Sequence, residues 1–176
     1  GAIGSILRQL LRTHSNSAMR EALSQSDAQI LLTMWPSLPL QSLAGETRLF
    51  EVTRKQVVSA AARTLLKFSE EEPLLLGFVD LEDVSSLTSQ VLRTTLAADP
   101  ETLTLIGIVD DRWMNKHCEK LVQGQIKKGF AKEIRLAPLD KDACEKLFQS
   151  IAPNAIVPAN YGPHTPLQVC ADAMAE

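Results

Sequence analysis

Two short apolar runs interrupt a chain whose other apolar residues follow helical spacing. The runs cover residues 74–79 (LLLGFV) and 103–109 (LTLIGIV), and acidic residues follow each run directly. Continuous apolar runs of this length are typical of strands that are buried on both faces of a parallel sheet. A helical pattern over residues 87–96 lies between the runs, so the sequence predicts a βαβ unit with a right-handed crossover.

The part of the chain before the first run is helical in pattern throughout. Helices are predicted at residues 1–12 and 17–23, and the longest one at residues 47–69. Another helix is predicted to start with a capping box formed by Ser26 and Gln29, whose side chains would satisfy free backbone N–H groups. These four helices are expected to pack against the sheet.

The pattern after the second run combines helices with one more strand. An amphipathic helix is predicted over residues 112–124, and the alternation of residues 130–136 (FAKEIRL) predicts a third, partly exposed strand. Two more helices are predicted, one that Asp140 starts and one that begins at Thr165, where Pro166 takes the first helical position. The sequence thus predicts an α/β fold with a small parallel sheet of about three strands in predominantly helical surroundings.

This order of elements is expected to form one compact domain of three segments. Residues 1–72 are the helical N-terminal segment, residues 73–151 a βαβαβα core, and residues 152–176 a loop with a C-terminal helix. At 176 residues the chain is long enough to bury a substantial core. No apolar run approaches the roughly 20 residues of a membrane-spanning helix, so no membrane partner is expected.

Charge and cysteine content narrow the classes of partner and compartment. The net charge is −3, so the chain as a whole does not attract nucleic acid. The cysteines Cys118, Cys144 and Cys170 are too widely spaced for a zinc site, and each lies on the apolar face of a predicted helix. Buried free thiols indicate a reducing compartment. We therefore expect the protein to be cytoplasmic.

Acidic residues at the strand ends are the first candidates for chemistry. In open α/β sheets ligands bind beyond the carboxyl ends of the strands, where Asp80, Asp83 and Asp110 would lie. We interpret these three as candidate cofactor-binding residues and Asp80 as the candidate magnesium ligand, because a carboxylate on a rigid strand end holds a hydrated cation against nucleotide phosphates. The simpler alternative is that the acids end the strand and favour the N-terminus of the next helix.

A phosphate-binding loop is missing from the sequence. The motif G-x-x-x-x-G-K-[ST] supplies glycine amides and a lysine to phosphates. Gly124 and Gly129 have its spacing, but Phe130 and Ala131 stand where the lysine and the hydroxyl belong. We found no motif of serine hydrolases or zinc proteases. We therefore expect no catalysis by the chain alone, and binding of ATP and Mg²⁺ only if a phosphate loop is supplied from elsewhere.

The second candidate is a basic region at residues 112–135. Seven basic residues stand there against two acidic ones, a local charge of +5. Such a surface could bind RNA, DNA, a nucleotide or an acidic protein. A solvated helix face is the simpler interpretation, because the aromatic residues Trp113 and Phe130 are expected to pack inward. The residues proposed for this basic patch are Arg112, Lys116, Lys120, Lys127 and Lys128.

The order of these pieces resembles the nucleotide-binding module of STAND-type signal-transduction ATPases, a branch of the AAA+ P-loop NTPases. The motifs that carry the resemblance are LLLGFVDLEDVSSLTSQVL, LTLIGIVDD, EIRLAPLDKDACEKLF and GPHTPLQVCADAMAE. The resemblance implies a partial P-loop-NTPase-like core. The sequence departs from the family pattern at two places. Asp80 is a single acid where the family has a doublet, and the family's arginine after the second strand is missing unless Arg112 takes its place.

The strand and loop that hold the phosphates in that family are also missing. In that fold the strand lies between the second and third strands predicted here, so the chain is expected either to be a piece of a longer protein or to pair its third strand directly with the second. The leading hypothesis is a regulatory or signalling segment that acts through protein contacts or as part of a nucleotide switch. One alternative is a nucleic-acid-binding module that uses residues 112–135, and another is a small nucleotide-binding enzyme with an atypical phosphate site.

Overall fold

The computed structural model describes residues 1–13, 23–45, 51–98, 100–110 and 112–153, with Pro163 and Val169. The chain divides into two compact units, Gly1–Ala131 and Lys132–Glu176. The helices predicted at residues 17–23 and from Thr165 onward fall almost wholly outside the described residues, as does the beginning of the one predicted at residues 47–69.

Helices make up most of the described part of the first unit. They are α1 (Ala2–Thr13), α2 (Gln25–Met34), α3 (Gln41–Ala44), α4 (Arg54–Glu71), α5 (Ser86–Leu96) and α6 (Lys116–Lys127), with a 3₁₀ turn at Leu81–Asp83. The hydroxyl of Ser24 caps α2 by accepting a hydrogen bond from the N–H of Asp27 at 3.1 Å. The start predicted at Ser26 is therefore wrong.

The longest helix, α4, begins later than predicted. Its cap is Thr53, whose hydroxyl accepts from the N–H of Gln56, while the side chain of Gln56 accepts from the N–H of Thr53 at 2.8 Å. This reciprocal capping box satisfies two backbone donors at the helix start. Ser85 caps α5 by accepting a hydrogen bond from the N–H of Thr88 at 3.2 Å.

Two parallel strands form the sheet of the first unit. β1 (Leu74–Phe78) pairs with β2 (Leu103–Gly107), with Leu74 opposite Leu103 and Phe78 opposite Gly107. Within the described residues the sheet has two strands, so the first unit is an α/β fold that is mostly helical. Because the strands are parallel, their carboxyl ends lie at the same edge of the sheet, as predicted.

The sheet is buried on one face and not on both, which corrects the prediction. Leu76 and Phe78 of β1 and Leu103 of β2 lie in the core, whereas Leu75 and Ile106 are exposed. Alternating burial along β1 is the pattern of a strand with one covered face. The composition of an apolar run does not reveal this, because it is the same whether the second face meets a helix or water.

The third predicted strand does not form, so the prediction of about three strands is wrong by one in the described residues. Residues 130–138 have neither helical nor strand conformation, and the side chains of Phe130, Ile134 and Leu136 are exposed. A strand requires a neighbour that accepts and donates backbone hydrogen bonds as well as an alternating sequence.

Helix α4 is the centre of the core of the first unit. Its buried residues include Ala60, Ala61, Leu65 and Phe68, and α1, α2 and α5 pack against it. The small alanine side chains allow these helices a close approach. Helix α6 packs against α5, so the helices and the buried face of the sheet share one apolar core.

The described part of the second unit contains α7 (Lys141–Ile151). Asp140 caps it by accepting a hydrogen bond from the N–H of Ala143 at 2.8 Å, as predicted. Cys144 and Phe148 of α7 are buried together with Val169 in a separate small core.

The two described cysteines, Cys118 and Cys144, are buried, as predicted. Burial raises the pKa of the Cys118 thiol, and the negative charge of Glu82 adds a smaller contribution in the same direction. A thiol that stays protonated is a weak nucleophile, so Cys118 behaves as a small apolar core residue. Cys170 lies outside the described residues.

Candidate docking site

Asp80 lies in a tight turn directly beyond β1. Its backbone has the left-handed conformation, with φ 58° and ψ 49°, which aspartate tolerates better than most residues. Its C=O accepts a hydrogen bond from the N–H of Asp83 at 3.1 Å, and the N–H of Leu81 donates to the C=O of Ile108 at 2.9 Å. Asp80 and Asp83 are therefore held together at the carboxyl edge of the sheet.

Asp110 lies at the same edge, but its carboxylate is already paired. The Nε and Nη2 atoms of Arg112 donate to it at 3.0 and 2.6 Å, and the backbone N–H of Arg112 donates at 3.1 Å. These hydrogen bonds hold the pKa of Asp110 below its usual range. Asp110, a candidate cofactor-binding residue, is thus paired with Arg112, a residue of the candidate basic patch.

Glu82, which follows β1 between the candidates Asp80 and Asp83, also lies at this edge. Its Oε2 accepts a hydrogen bond from the backbone N–H of Asp110 at 3.3 Å and so connects the turn after β1 to the end of β2. Within the described residues, no group of three or more His, Cys, Asp or Glu side chains could hold a metal ion. Cofactor binding by Asp80, Asp83 and Asp110 stays a prediction.

The exposed face of the sheet is apolar. The side chains of Leu75, Val79, Ile106 and Ile108 are 54% to 73% exposed. Gly77 lies opposite Ile106 in the register, and a Cβ added to Gly77 would meet no atom within 4 Å. Parallel sheets are normally covered on both faces. We call the surface formed by these five residues the open face.

The outer edge of β2 has free backbone groups. The N–H of Ile108 donates to the C=O of Phe78 at 2.8 Å. Along a strand in a parallel sheet, residues whose backbone N–H and C=O groups bond to one neighbouring strand alternate with residues whose backbone groups point to the other side. The N–H and C=O groups of Leu105 and Gly107 therefore point away from β1, and no backbone hydrogen bond joins them to a described residue outside the sheet.

Both ends of the sheet are acidic. Glu72 precedes β1, Glu101 precedes β2, and Asp80 follows β1, all with exposed side chains. These three carboxylates take part in no ion pair between described residues. The open face and the free edge of β2 thus lie between two negatively charged ends.

Three lysines of the basic patch form a stripe on α6. Lys116, Lys120 and Lys127 are spaced so that they fall within about 40° around the helix axis, and all three are exposed. Lys128, the C-cap of α6, is also exposed. None of these four lysines takes part in an ion pair between described residues, whereas Arg112 is engaged with Asp110.

Trp113 and Phe130 do not pack inward, which corrects the prediction. Trp113 is 72% exposed and Phe130 is 56% exposed, and the two residues stand before and after α6 in the chain. Trp113 is held in a turn by a hydrogen bond from its N–H to the C=O of Asp110. The lysine stripe of α6 therefore has two exposed aromatic side chains close to it in sequence.

This chain matches no protein-family model, no curated protein and no solved structure. The resemblance to STAND-type ATPases therefore rests on the motifs in the sequence alone. In the described part of the chain, we find no helix with both the length and the apolar character that crossing a membrane requires.

Proposed function

We propose that this chain is a regulatory interaction module whose sheet receives a segment of another polypeptide or of the remainder of a longer protein. The observation that carries the proposal is the open face beside the free edge of β2. Burial of apolar surface contributes about 25 cal/mol per Å², and backbone donors and acceptors removed from water must be paired. A strand docked along β2 pairs these backbone groups, and its apolar side chains pack beside the exposed Ile106 and Ile108 of the open face.

The resemblance to STAND-type ATPases supports a signalling role for this contact. In that family the strand missing from this sequence lies beside the second strand, which corresponds to the free edge of β2. A polypeptide that supplied this strand would complete a P-loop-NTPase-like core and bring the amides and the lysine that phosphates require. The completed sheet would then bind ATP and Mg²⁺, and Asp80 would be the residue that holds the cation, while the chain alone is proposed to have no ATPase activity. The cytoplasm is the compartment proposed with this role.

Site-specific photo-crosslinking tests the docking function. A photoreactive amino acid at Leu75 or Ile106 is expected to form covalent adducts with a polypeptide in cells that produce the protein. The same amino acid at Lys55, which is exposed on α4, serves as the control and is expected to form few. Equal yields at all three positions, or no adduct at Leu75 and Ile106, would contradict the proposal.

A nucleic-acid-binding module is the second candidate, and the lysine stripe of α6 favours it. Its three lysines are exposed on one helix face without ionic partners in the described part of the chain. Exposed Trp113 provides a surface on which a base could stack. The overall charge of −3 opposes long-range attraction, so this contact would depend on the stripe itself.

A salt titration of single-stranded RNA binding tests this candidate. If the stripe neutralises three phosphates, the logarithm of the affinity should fall with the logarithm of the salt concentration with a slope of about −2. Replacing Lys116, Lys120 and Lys127 by alanine should remove most of this slope, while Lys55→Ala should leave it unchanged. Binding that is absent or insensitive to salt would rule this function out.

A further inference from the structure

We propose that the polypeptide that docks on the sheet is the segment of residues 127–136 from a second copy of this chain. The inference rests on the docking part of the proposed function and names the docked segment; because this segment has no phosphate loop, the binding of ATP and Mg²⁺ is not part of the inference. The segment reads KKGFAKEIRL and is exposed over its whole length. Residues 131–138 make no backbone hydrogen bond to any other described residue. Lys127 to Phe130 form the end of α6 and its cap. Each copy therefore has both an outer β2 edge and a stretch from residue 131 onward whose backbone groups bond to no other described residue.

The sequence of the segment suits a strand at the edge of β2. Phe130, Lys132, Ile134 and Leu136 occupy alternate positions, so in a strand three apolar side chains and one lysine would form a mostly apolar row on one side. All three apolar side chains are exposed, Leu136 to 90%. Backbone groups of the segment would pair with the outward N–H and C=O groups of Leu105 and Gly107. An exposed strand edge is a template for such pairing with another chain.

Charge complementarity selects this segment as the occupant. The sheet ends carry the unpaired acids Glu72, Glu101 and Asp80. A direct contact between the open faces of two copies would bring acidic ends together and cost free energy. In the segment, Arg135 is paired with Glu133 at 2.6 Å. The positive charge left to meet the acids comes from Lys127, Lys128 and Lys132.

A reciprocal exchange makes the dimer symmetric. Each copy gives its segment to the other and receives one in return, so the two contacts are equivalent about a two-fold axis. Each sheet then has three strands, which is the number that the sequence pattern predicts. The exposed apolar residues of the segment and the free edge of β2 find partners in the same event.

Sedimentation velocity over a range of concentrations tests the inference. The chain is expected to show a monomer–dimer equilibrium that weakens as salt is added, because salt screens the lysine–carboxylate attraction. Ile134→Glu places a negative charge in the apolar row and is expected to raise the Kd of the dimer at least tenfold. Ile134 is 76% exposed, so the fold of the monomer should not change. The matched control is Met34→Glu on α2, an exposed position away from the sheet, which should leave the Kd unchanged.

A peptide of residues 127–138 provides a second measurement. It is expected to dissociate the dimer, while a scrambled peptide of the same composition is not. A chain that stays monomeric at its highest soluble concentration overturns the inference, as does a dimer that both glutamate variants weaken equally. If the chain is monomeric but crosslinks from Leu75 capture a different polypeptide, the second-copy inference fails and the docking function stands. If neither a dimer nor adducts form, both fail.

Discussion

Arg112 holds the carboxylate of Asp110 with two side-chain nitrogens and its own backbone N–H. This contact changes both predicted sites, because it occupies an acid of the candidate cofactor site and a base of the candidate basic patch. The pair lies in the chain directly after β2, at the carboxyl edge of the sheet. Which charges remain available for a ligand depends on such close partners, and spacing in the sequence does not reveal them.

We expect Arg112→Gln to raise the pKa of Asp110. The hydrogen bonds from Arg112 lower this pKa in the folded protein. The stabilisation is therefore fully present above the unfolded-state pKa and is lost as the pH falls through the lowered, folded-state value. A carbon-13 NMR titration of the Asp110 carboxyl group measures the difference.

The control for this titration is Arg93→Gln, which removes an exposed arginine of α5. It should leave the pKa of Asp110 where it is in the unaltered protein. If Arg112→Gln also leaves that pKa unchanged, the contact between Arg112 and Asp110 does not persist in solution.

We expect calorimetric titration with ATP and Mg²⁺ to show no binding to the chain alone. The sequence has no glycine amides and lysine arranged to neutralise phosphates, and the exposed carboxylate of Asp80 repels them. Asp80→Asn should accordingly change nothing. Binding that Asp80→Asn abolishes, but that Asp142→Asn on α7 preserves, would instead support a small nucleotide-binding enzyme with an atypical phosphate site.

The contact between α2 and α4 leads to a prediction about stability. Asp27, which is buried, accepts hydrogen bonds from Nη2 and Nε of Arg63 at 2.5 and 3.2 Å. These hydrogen bonds also raise the pKa of Arg63. We expect Asp27→Ala to lower the free energy of unfolding by about 1–3 kcal/mol, measured by urea denaturation.

The exposed pair of Lys67 and Glu70 on α4 provides the matched control. Both side chains are more than half exposed, so Glu70→Ala should cost less than about 1 kcal/mol. A double-mutant cycle of Asp27→Ala with Arg63→Ala should show a clear coupling energy. Equal losses for Asp27→Ala and Glu70→Ala would mean that burial adds nothing to the α2–α4 contact.

Local chemistry explains which parts of the fold could be predicted. Asp140 starts a helix as expected, because a cap needs one side-chain oxygen and an N–H a few residues further on. The two strands and their direction were likewise predictable from two apolar runs with a helix between them. The absence of a strand at residues 130–136 could not be predicted, since a strand forms only beside a neighbouring strand and no local signal specifies that neighbour.

The candidate site was predictable to the same extent. Asp80 and Asp110 lie at one edge because parallel strands end together. The exposure of Trp113 and the free edge of β2 depend instead on what other elements cover, which is a property of the tertiary structure. The apolar residues of the open face were visible in the sequence, but they were interpreted as core.

Leu76 and Ile106 lie on opposite faces of the sheet, and their truncation tests the open face directly. The side chain of Leu76 is only 6% exposed. Leu76→Ala should therefore lower the free energy of unfolding by about 2–5 kcal/mol, because apolar burial is lost and a cavity remains. Ile106 is 54% exposed, so Ile106→Ala should cost less than about 1 kcal/mol at concentrations where the chain is monomeric. Urea denaturation of both variants measures the difference. Similar large costs at both positions would mean that a further layer covers the second face in the free protein, and the docking function would then have no surface on which to act.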